Sequence, residues 1–201
     1  MTTDSASSLS HIKPELLLAG YASGFFPMAE PKNGEIRWFS PDPRGILPLD
    51  SFKISRSLHQ VLRKNVFEIR YNTSFEEVIR ACGGRGETWI SEEIIQSYIA
   101  LHRLGYGHSV EAWIGEKLAG GLYGVALGAA FFGESMFSRV RDSSKVALVH
   151  LVGRLKERHF ELLDTQFSTP HLSRFGVIDI SRDDYLILLQ NAVHKKRSFT
   201  D

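Results

Sequence analysis

Two carboxylates in apolar surroundings are the residues of this chain best placed to do chemistry. Glu134 ends the uncharged, glycine-rich stretch 118–133, and Asp164 follows the apolar pair Leu162-Leu163. A carboxylate at the end of a buried strand costs desolvation free energy unless a partner or a ligand compensates for it. A segment of helical length separates the two acids, so a β–β–α–β unit would bring them together beside an apolar slot. We expect an active site there.

Several common kinds of site are absent from the sequence. No two histidines are spaced i,i+4 and no Cys-x-x-Cys occurs, so we expect no bound metal. There is no Gly-x-x-x-x-Gly-Lys-Ser/Thr and no strand-linked Gly-x-Gly-x-x-Gly, which argues against nucleotide hydrolysis and dinucleotide redox chemistry. Ser135 stands in a segment that begins like a nucleophile elbow. Phe137 occupies the position of the required second glycine, so we do not expect Ser135 to be a nucleophile.

Composition and charge are those of an ordinary globular enzyme. The 201 residues are 43% hydrophobic and carry a formal net charge of +1, so any nucleic-acid contact must come from a local patch. The single cysteine, Cys82, fits a reducing compartment. Residues 1–11 lack the apolar segment of a signal peptide, and the stretch 118–133 is shorter than the roughly 20 residues of a membrane helix. We expect a cytoplasmic protein without membrane contact.

A local basic patch lies within residues 51–67, a segment that contains no acidic residue. Its basic side chains are Lys53, Arg56, Arg63 and Lys64. A solvated helix face is the commoner explanation of such a patch. However, protein surfaces usually mix both signs of charge, and a basic face without acids is typical of phosphate binding. The segment therefore predicts contacts with a nucleic-acid backbone.

The remaining pattern predicts an α+β fold with two domains. Residues 1–10 are expected to be disordered. Five prolines within residues 24–48 exclude a long helix or a central strand, and we expect a small irregular N-terminal domain over residues 1–51. Residues 52–201 are expected to hold three antiparallel strands, a helix and a further strand beside them, which is the central unit of the GNAT acetyltransferase fold. No glycine-containing phosphate loop leads into that helix, so we expect the coenzyme A site to be lacking.

Local chemistry marks the ends of the elements. Serines followed by apolar, helically spaced residues predict helix starts. The predicted starts are Ser55 or Ser57, a capping box at 74–77, Ser91, Ser143 or Ser144, and Ser181, with a further helix over 14–23. Alternating or continuous apolar runs predict strands over 67–71, 108–114, 118–125, 129–137, 160–165 and 176–180.

Eight short motifs follow one another as in bacterial leucyl/phenylalanyl-tRNA–protein transferases, which this chain resembles over roughly residues 14–188. The motifs occupy residues 24–27, 38–44, 55–57, 88–90, 108–111, 120–124, 133–138 and 163–166. The resemblance implies transfer of Leu or Phe, with Met as a third candidate, from aminoacyl-tRNA to proteins that begin with Arg or Lys, which marks those proteins for degradation. It also implies a GNAT-like domain without coenzyme A and a reaction without ATP, metal or other cofactor.

The implied reaction is ester aminolysis, in which an α-amino group attacks the carbonyl that links an amino acid to ribose. The ester is already activated, and an α-amine with a pKa near ~8 is partly neutral at physiological pH, so the enzyme mainly positions its reactants. We expect Gln166 to accept a hydrogen bond from the amine, with Asp164 either polarising it or taking the proton. Glu134 or Asp164 is expected to pair with the basic side chain of the acceptor. Asp164 is expected to add little to the stability of the fold.

The substrate contacts follow from the hairpin and from the resemblance. The side chain of Leu or Phe is expected in a slot formed by Leu122, Phe131, Gly133, Met136 and Leu163, although plain core is the common role of such residues. The aminoacyl-adenosine is expected to contact Trp38, Phe39, Trp89, Tyr98 and Ser138, with Trp38 in a proline-rich loop where a base can stack. The basic patch is expected to bind the tRNA backbone. We expect a monomer.

Two alternatives stay open on the sequence alone. The first is an N-acetyltransferase that uses acetyl-CoA, which the missing phosphate loop disfavours. The second is an RNA-binding or degradation-adaptor module, which two buried acids disfavour.

Overall fold

The computed structural model of the chain describes residues 11–84 and 88–200, and the predicted disordered tail 1–10 lies outside this range. Seven helices occur in the described ranges: α1 (Pro14–Ala22), α2 (Arg56–Arg63), α3 (Phe75–Gly83), α4 (Glu92–Arg103), α5 (Ser143–Glu157), α6 (Pro170–Ser173) and α7 (Arg182–Val193). The same ranges hold nine strands: β1 (Phe26–Ala29), β2 (Ile36–Phe39), β3 (Arg44–Ile46), β4 (Glu68–Tyr71), β5 (Gly107–Ile114), β6 (Lys117–Leu127), β7 (Ala130–Ser138), β8 (Leu162–Gln166) and β9 (Ile178–Ile180).

Seven of these strands form one mixed sheet in the order β4-β5-β6-β7-β8-β3-β9, while β1 and β2 form a separate antiparallel hairpin. The predicted run of three antiparallel strands, a helix and a further neighbouring strand is present. Strands β5, β6 and β7 are antiparallel neighbours, and β8 lies parallel to β7 with Ala130 opposite Leu162. A parallel return requires a crossover connection, which α5 supplies. The predicted α+β class is confirmed in the form of this mixed seven-stranded sheet.

The prediction that the proline-rich segment contains no central strand is wrong for β3. This strand lies between β8 and β9, where Gly45 is opposite Gln166 on one side and Asp179 on the other. The prolines at positions 43 and 48 flank β3 instead of interrupting it, so its residues keep their backbone N–H donors. The main sheet therefore includes three residues from the predicted N-terminal domain 1–51, and that domain boundary stays a prediction.

The sheet is covered on both faces. Helices α1, α3, α4 and α7 pack against one face and contribute Tyr21, Ile79, Tyr98 and Tyr185 to the core there. Helices α2 and α5 pack against the other face. Burial on both faces explains why the central strands read as long apolar runs. Within the described ranges, no helix is long and apolar enough to cross a membrane, and no three His, Cys, Asp or Glu side chains are grouped so that they could hold a metal ion.

Serine side chains begin three of the helices as predicted. Ser55, Ser91 and Ser181 each accept a hydrogen bond from the backbone N–H three residues later. Such a bond satisfies one of the free donors at a helix start and is worth about 1 kcal/mol. The starts of α2, α4 and α7 are therefore set by local sequence.

Two predicted caps are wrong, because tertiary contacts replace them. The side chain of Ser74 makes no capping bond, and the carboxylate of Glu111 in β5 accepts the Ser74 N–H at 2.8 Å. Helix α5 begins after Asp142, whose backbone is left-handed with φ 67. Ser143 lies inside α5 and donates its hydroxyl to the carbonyl oxygens of Ala119 and Val140.

Candidate active site

A β-bulge in β7 places Glu134. The neighbouring residues Tyr123 and Gly124 of β6 pair with the residues on either side of Glu134, which itself has no partner across β6. A bulge of this kind breaks the alternation of a strand and re-aims its side chains. As a result, Glu134 reaches side chains of the α1 and α4 face, whereas Met136 packs against the α5 face.

The carboxylate of Glu134 accepts three hydrogen bonds. Its Oε1 accepts from the Tyr21 hydroxyl at 2.6 Å and from Gln166 Nε2 at 3.1 Å, and its Oε2 accepts from the Tyr98 hydroxyl at 3.3 Å. The two tyrosine hydroxyls also contact each other. Burial raises the pKa of Glu134 to about 7 despite the hydrogen bond from Tyr21, and the charge of Asp164 acts in the same direction as burial. Glu134 therefore exchanges a proton near neutral pH.

Asp164 forms a buried ion pair with Arg44 of β3. Nε and Nη2 of Arg44 donate to Oδ1 and Oδ2 of Asp164 at 3.0 and 2.6 Å. The Tyr185 hydroxyl donates to Oδ2 and the backbone N–H of Gln166 donates to Oδ1, both at 2.8 Å. Four donors thus saturate a carboxylate that is 0% exposed. Of the two acids predicted to pair with a basic acceptor side chain, only Glu134 is left to do so.

Arg44 is the central residue that the sequence reasoning missed. Its Nη1 donates to the carbonyl oxygen of Gly24 at 3.0 Å, and its guanidinium lies 4.4 Å from the ring centre of Tyr185 and 5.0 Å from that of Phe26. Burial lowers the pKa of Arg44, but the hydrogen bond and the charge of Asp164 outweigh burial and raise it. A signal was available, because Arg44 precedes the apolar run 45–49 and a buried carboxylate requires a cation.

Strand β8 ends in a sharp turn at Gln166, and this residue is hydrogen-bonded to both acids. Gln166 has a left-handed backbone with φ 56, a conformation that costs a non-glycine residue roughly 1–3 kcal/mol and is common at functional sites. The following backbone crosses β3 so closely that a Cβ at Gly45 would lie 2.6 Å from the carbonyl carbon of Phe167. Gln166 therefore reaches Asp164 through its backbone N–H and Glu134 through its side-chain amide.

An apolar cavity of about 280 Å³ opens beside Glu134. It is lined by Leu122, Tyr123, Gly133, Glu134, Ser135, Met136, Leu148, Leu151, Leu163, Thr165, Thr169, His171 and Leu172. The lining includes four of the five residues predicted for the aminoacyl side-chain slot, namely Leu122, Gly133, Met136 and Leu163. Asp164 and Gln166 do not line this cavity and lie behind it. The sequence reasoning missed the walls from α5 and α6, because only tertiary packing brings those helices to the strands.

Phe131 does not line the cavity, in contrast to the prediction. It is 0% exposed and lies two residues before Gly133 along β7, where its ring packs against Phe199 at a centroid distance of 5.4 Å. The cavity exists at the level of Gly133 because glycine has no side chain to fill it. Thr165, on the cavity wall, has a buried hydroxyl that makes no hydrogen bond within the described part of the chain.

The structure separates the residues predicted to contact the aminoacyl-adenosine. Phe39 and Trp89 line a common cavity of about 260 Å³. Trp38 lies in β2 and not in a loop, and its ring packs against Gly20 of α1. Tyr98 is fully buried behind Glu134, and the Ser138 hydroxyl donates to the hydroxyl of Ser144 at 2.7 Å.

The predicted tRNA-binding residues are exposed on and around α2. They are Lys53, Arg56, Arg63 and Lys64, and none of the four forms an ion pair with another described residue. Cations without an ionic partner among the described residues are free to bind an anion. Their contact with RNA stays a prediction.

Comparison with known proteins supports one family. Residues 46–190 match the model described as leucyl/phenylalanyl-tRNA protein transferase, and residues 11–42 match the model of its N-terminal domain. A leucyl/phenylalanyl-tRNA–protein transferase from Gloeobacter violaceus is 57% identical over 182 residues, covering 90% of this chain and 94% of the relative. One from Rubrobacter xylanophilus is 54% identical over 189 residues, covering 94% and 98%. The solved structure of L-PGS from Bacillus licheniformis matches with a TM-score of 0.44 and 10% identity over 86% of this chain and 67% of that one, a likeness too weak to carry an argument.

We predict that Asp164→Ala destabilises the fold, in contrast to the sequence-based expectation that Asp164 adds little stability. The variant leaves the guanidinium of Arg44 buried without its counter-charge, a loss of about 3–5 kcal/mol in the free energy of unfolding. Adding Arg44→Met should restore part of that loss. Urea unfolding measures both effects. Glu161→Ala, which breaks the exposed pair with Lys195, is the control and should cost less than about 1 kcal/mol. Equal losses for Asp164→Ala and this control would contradict the prediction.

We also predict that Glu134 makes the stability of the protein depend on pH. The pKa of this carboxyl is raised from 4.5 to about 7 in the folded chain, so between these values the folded state binds more protons than the unfolded state. The free energy of unfolding should therefore fall as pH rises from about 5 to 8, by roughly 1–3 kcal/mol. Glu134→Gln should lack this decrease, and Glu116→Gln in the exposed β5–β6 turn should retain it. The measurement is the free energy of unfolding, obtained by denaturant unfolding across that pH range. If the decrease persists in Glu134→Gln, it arises from the titration of another group.

Proposed function

Because this chain belongs to the leucyl/phenylalanyl-tRNA–protein transferase family, we propose that it moves Leu or Phe, with Met as a third donor residue, from aminoacyl-tRNA to proteins that begin with Arg or Lys. The observation that carries the proposal is the apolar cavity that ends on Glu134. The cavity supplies apolar walls for the donor side chain, and Glu134 supplies a negative charge for the acceptor. One site thus fits both the apolar donor and the basic acceptor.

The proposed reaction needs no energy source beyond the ester of the donor. The neutral α-amino nitrogen of the acceptor attacks the ester carbonyl carbon, a C–N bond forms, and the bond to the ribose oxygen breaks. That oxygen leaves as a hydroxyl with the proton that the amine gives up, so atoms and charge balance without ATP. Holding both reactants in this geometry can be worth about 7–11 kcal/mol of the barrier.

Gln166 is proposed to orient the attacking amine. Its Nε2 is directed at Glu134, which leaves the carbonyl Oε1 at the other end of the amide to accept a hydrogen bond from the amine. Asp164 is a positioning residue in this proposal, because it holds the backbone of Gln166 and is itself held by Arg44. Four hydrogen bonds already occupy the two oxygens of Asp164, so a group of the acceptor would have to displace one of these donors to reach it. The structure thus favours polarisation over proton transfer among the two roles considered for Asp164.

Glu134 is proposed to bind the side chain of the acceptor's first residue. Its three hydrogen-bond partners, Tyr21, Tyr98 and Gln166, are all neutral, so its negative charge has no cation bonded to it among the described residues. A guanidinium or ammonium group in the cavity would supply that cation. The unpaired hydroxyl of Thr165 is proposed to hydrogen-bond the donor's amino or carbonyl group.

The proposal extends to the rest of the donor and to the cellular role. The cavity of Phe39 and Trp89 is proposed to receive the adenosine, and the α2 cations to bind the tRNA backbone. The order β5-β6-β7-α5-β8 supports a GNAT-like domain without coenzyme A, and the matches to residues 11–42 and 46–190 support a division near β3. We propose that the protein acts as a monomer in the cytoplasm, where its donor is made, and that the added residue is a degradation signal.

A two-donor assay tests this function. Labelled Leu-tRNA and Phe-tRNA are each offered with a peptide that begins with Arg, without ATP, beside labelled acetyl-CoA with the same peptide. Transfer from both tRNAs and none from acetyl-CoA is the expected result, and a peptide with a blocked α-amine should receive nothing. Acetylation alone would support an N-acetyltransferase, and tRNA binding without any transfer would support an RNA-binding module.

We predict that Met136→Ala shifts the donor preference toward Phe. The variant enlarges the cavity and removes contacts to the smaller side chain first, so kcat/KM for Leu-tRNA should fall by roughly 10- to 200-fold and the Phe/Leu ratio should rise. The measurement is kcat/KM with both donors alongside a melting curve. Ile79→Ala, in the core on the opposite face of the sheet, is the control, since it should lower the melting temperature without changing the ratio. An unchanged Phe/Leu ratio in Met136→Ala would show that Met136 is a core residue that does not contact the donor side chain.

A further inference from the structure

A second cavity, of about 500 Å³, lies next to the candidate active site. We call it the basic groove. It runs between α2 and the segment formed by the start of α5 and by α6, and its charged or titratable lining residues are Lys64, Arg141, Asp142, Lys145, His171 and Arg174. His171 lines both this groove and the apolar cavity. The two cavities are therefore adjacent, with one side chain between them.

The groove presents positive charge from both of its walls. Lys64 comes from the end of α2, and Arg141, Lys145 and Arg174 come from the opposite wall. Asp142 is the one carboxylate of the lining and already contacts Lys145 at 2.6 Å and Arg141 at 3.5 Å.

Two of the groove cations have no carboxylate to neutralise them. Within the described ranges, neither Lys64 nor Arg174 takes part in an ion pair. Burial together with the charges of Lys145 and Arg174 lowers the pKa of His171, which agrees with cations facing this ring. The groove thus carries an excess of positive charge that an anion can neutralise.

We propose that the basic groove binds backbone phosphates of the acceptor arm of the aminoacyl-tRNA donor, with Arg141, Lys145 and Arg174 acting opposite the α2 cations. This inference rests on the proposed function. If the aminoacyl group occupies the apolar cavity, the RNA attached to it must leave past the cavity rim, and at His171 the rim adjoins the groove. A polyanion attached to the substrate explains why cations lie on both walls at this place. The α2 wall offers no competing acid over residues 51–67.

Charge reversal at Arg174 tests the proposal. Binding of uncharged tRNA to Arg174→Glu and to wild type is measured by fluorescence anisotropy over a range of salt concentrations. Because each phosphate contact releases counterions, the plot of log affinity against log salt should become flatter by about 0.7–0.9 unit per lost contact. The KM for aminoacyl-tRNA should rise, while kcat/KM for a short aminoacyl-adenosine donor, which has no backbone phosphates, should stay at the wild-type value. Arg141→Glu should act in the same direction.

Arg103→Glu is the matched control. Arg103 is exposed at the end of α4, which packs on the opposite face of the sheet, and its reversal changes the net charge by the same amount. A salt slope for Arg174→Glu equal to that of Arg103→Glu would overturn the proposal, as would equal losses with both donors. Melting curves show whether Arg174→Glu is still folded, and the milder Arg174→Gln provides a second variant if it is not. Wild type that transfers from neither donor would instead reject the proposed function, so the two failures are distinguishable.

Discussion

The buried ion pair between Arg44 and Asp164 is the constraint on which the rest of the structure depends. Two charges removed from water must be fully paired and hydrogen-bonded, or they cost several kcal/mol each. Here the pair joins residues 120 positions apart, and its remaining bonds go to Gly24, Tyr185 and the backbone N–H of Gln166. The turn after α1, strand β3, strand β8 and helix α7 must therefore all be in place before either charge is satisfied. The pair links the N-terminal segment to the sheet and fixes the backbone from which Gln166 projects.

A second constraint is the bulge at Glu134, which lets one short segment serve two faces of the sheet. In a regular strand, Glu134 and Met136 would point to the same face, because side chains alternate with a period of two. The extra residue shifts this alternation, so the acid meets Tyr21 and Tyr98 on one side and Met136 meets α5 on the other. An apolar cavity and a buried acid can thus lie side by side.

How far the sequence predicts this structure depends on the range of the interaction involved. The starts of α2, α4 and α7 follow from a serine and the residues just after it, and the β5-β6-β7-α5-β8 unit follows from local periodicity. Strand β3 was missed because its place between β8 and β9 depends on long-range pairing. Arg44 was missed for the same reason, since its partner Asp164 lies far along the chain. Phe131 was misplaced because the cavity opens at Gly133, where a side chain is absent, and strand pattern alone does not show the depth of a pocket.

Glu134 and Asp164 differ in environment, and that difference separates their proposed roles. The two oxygens of Asp164 accept four hydrogen bonds, two from the Arg44 guanidinium and one each from the Tyr185 hydroxyl and the Gln166 N–H, so no oxygen is left for a further ligand. Glu134 meets only neutral donors, has a pKa raised to about 7, and lines the cavity. Paired carboxyl groups with distinct environments are a recurrent way to divide structural and chemical tasks. Gln166 bonds to both, so the ion pair behind the cavity orients the amide, and the amide helps to orient the acid that lines the cavity. In the proposed reaction, the positions of Gln166 and Glu134 are thus set by an ion pair that lies behind the cavity and does not line it.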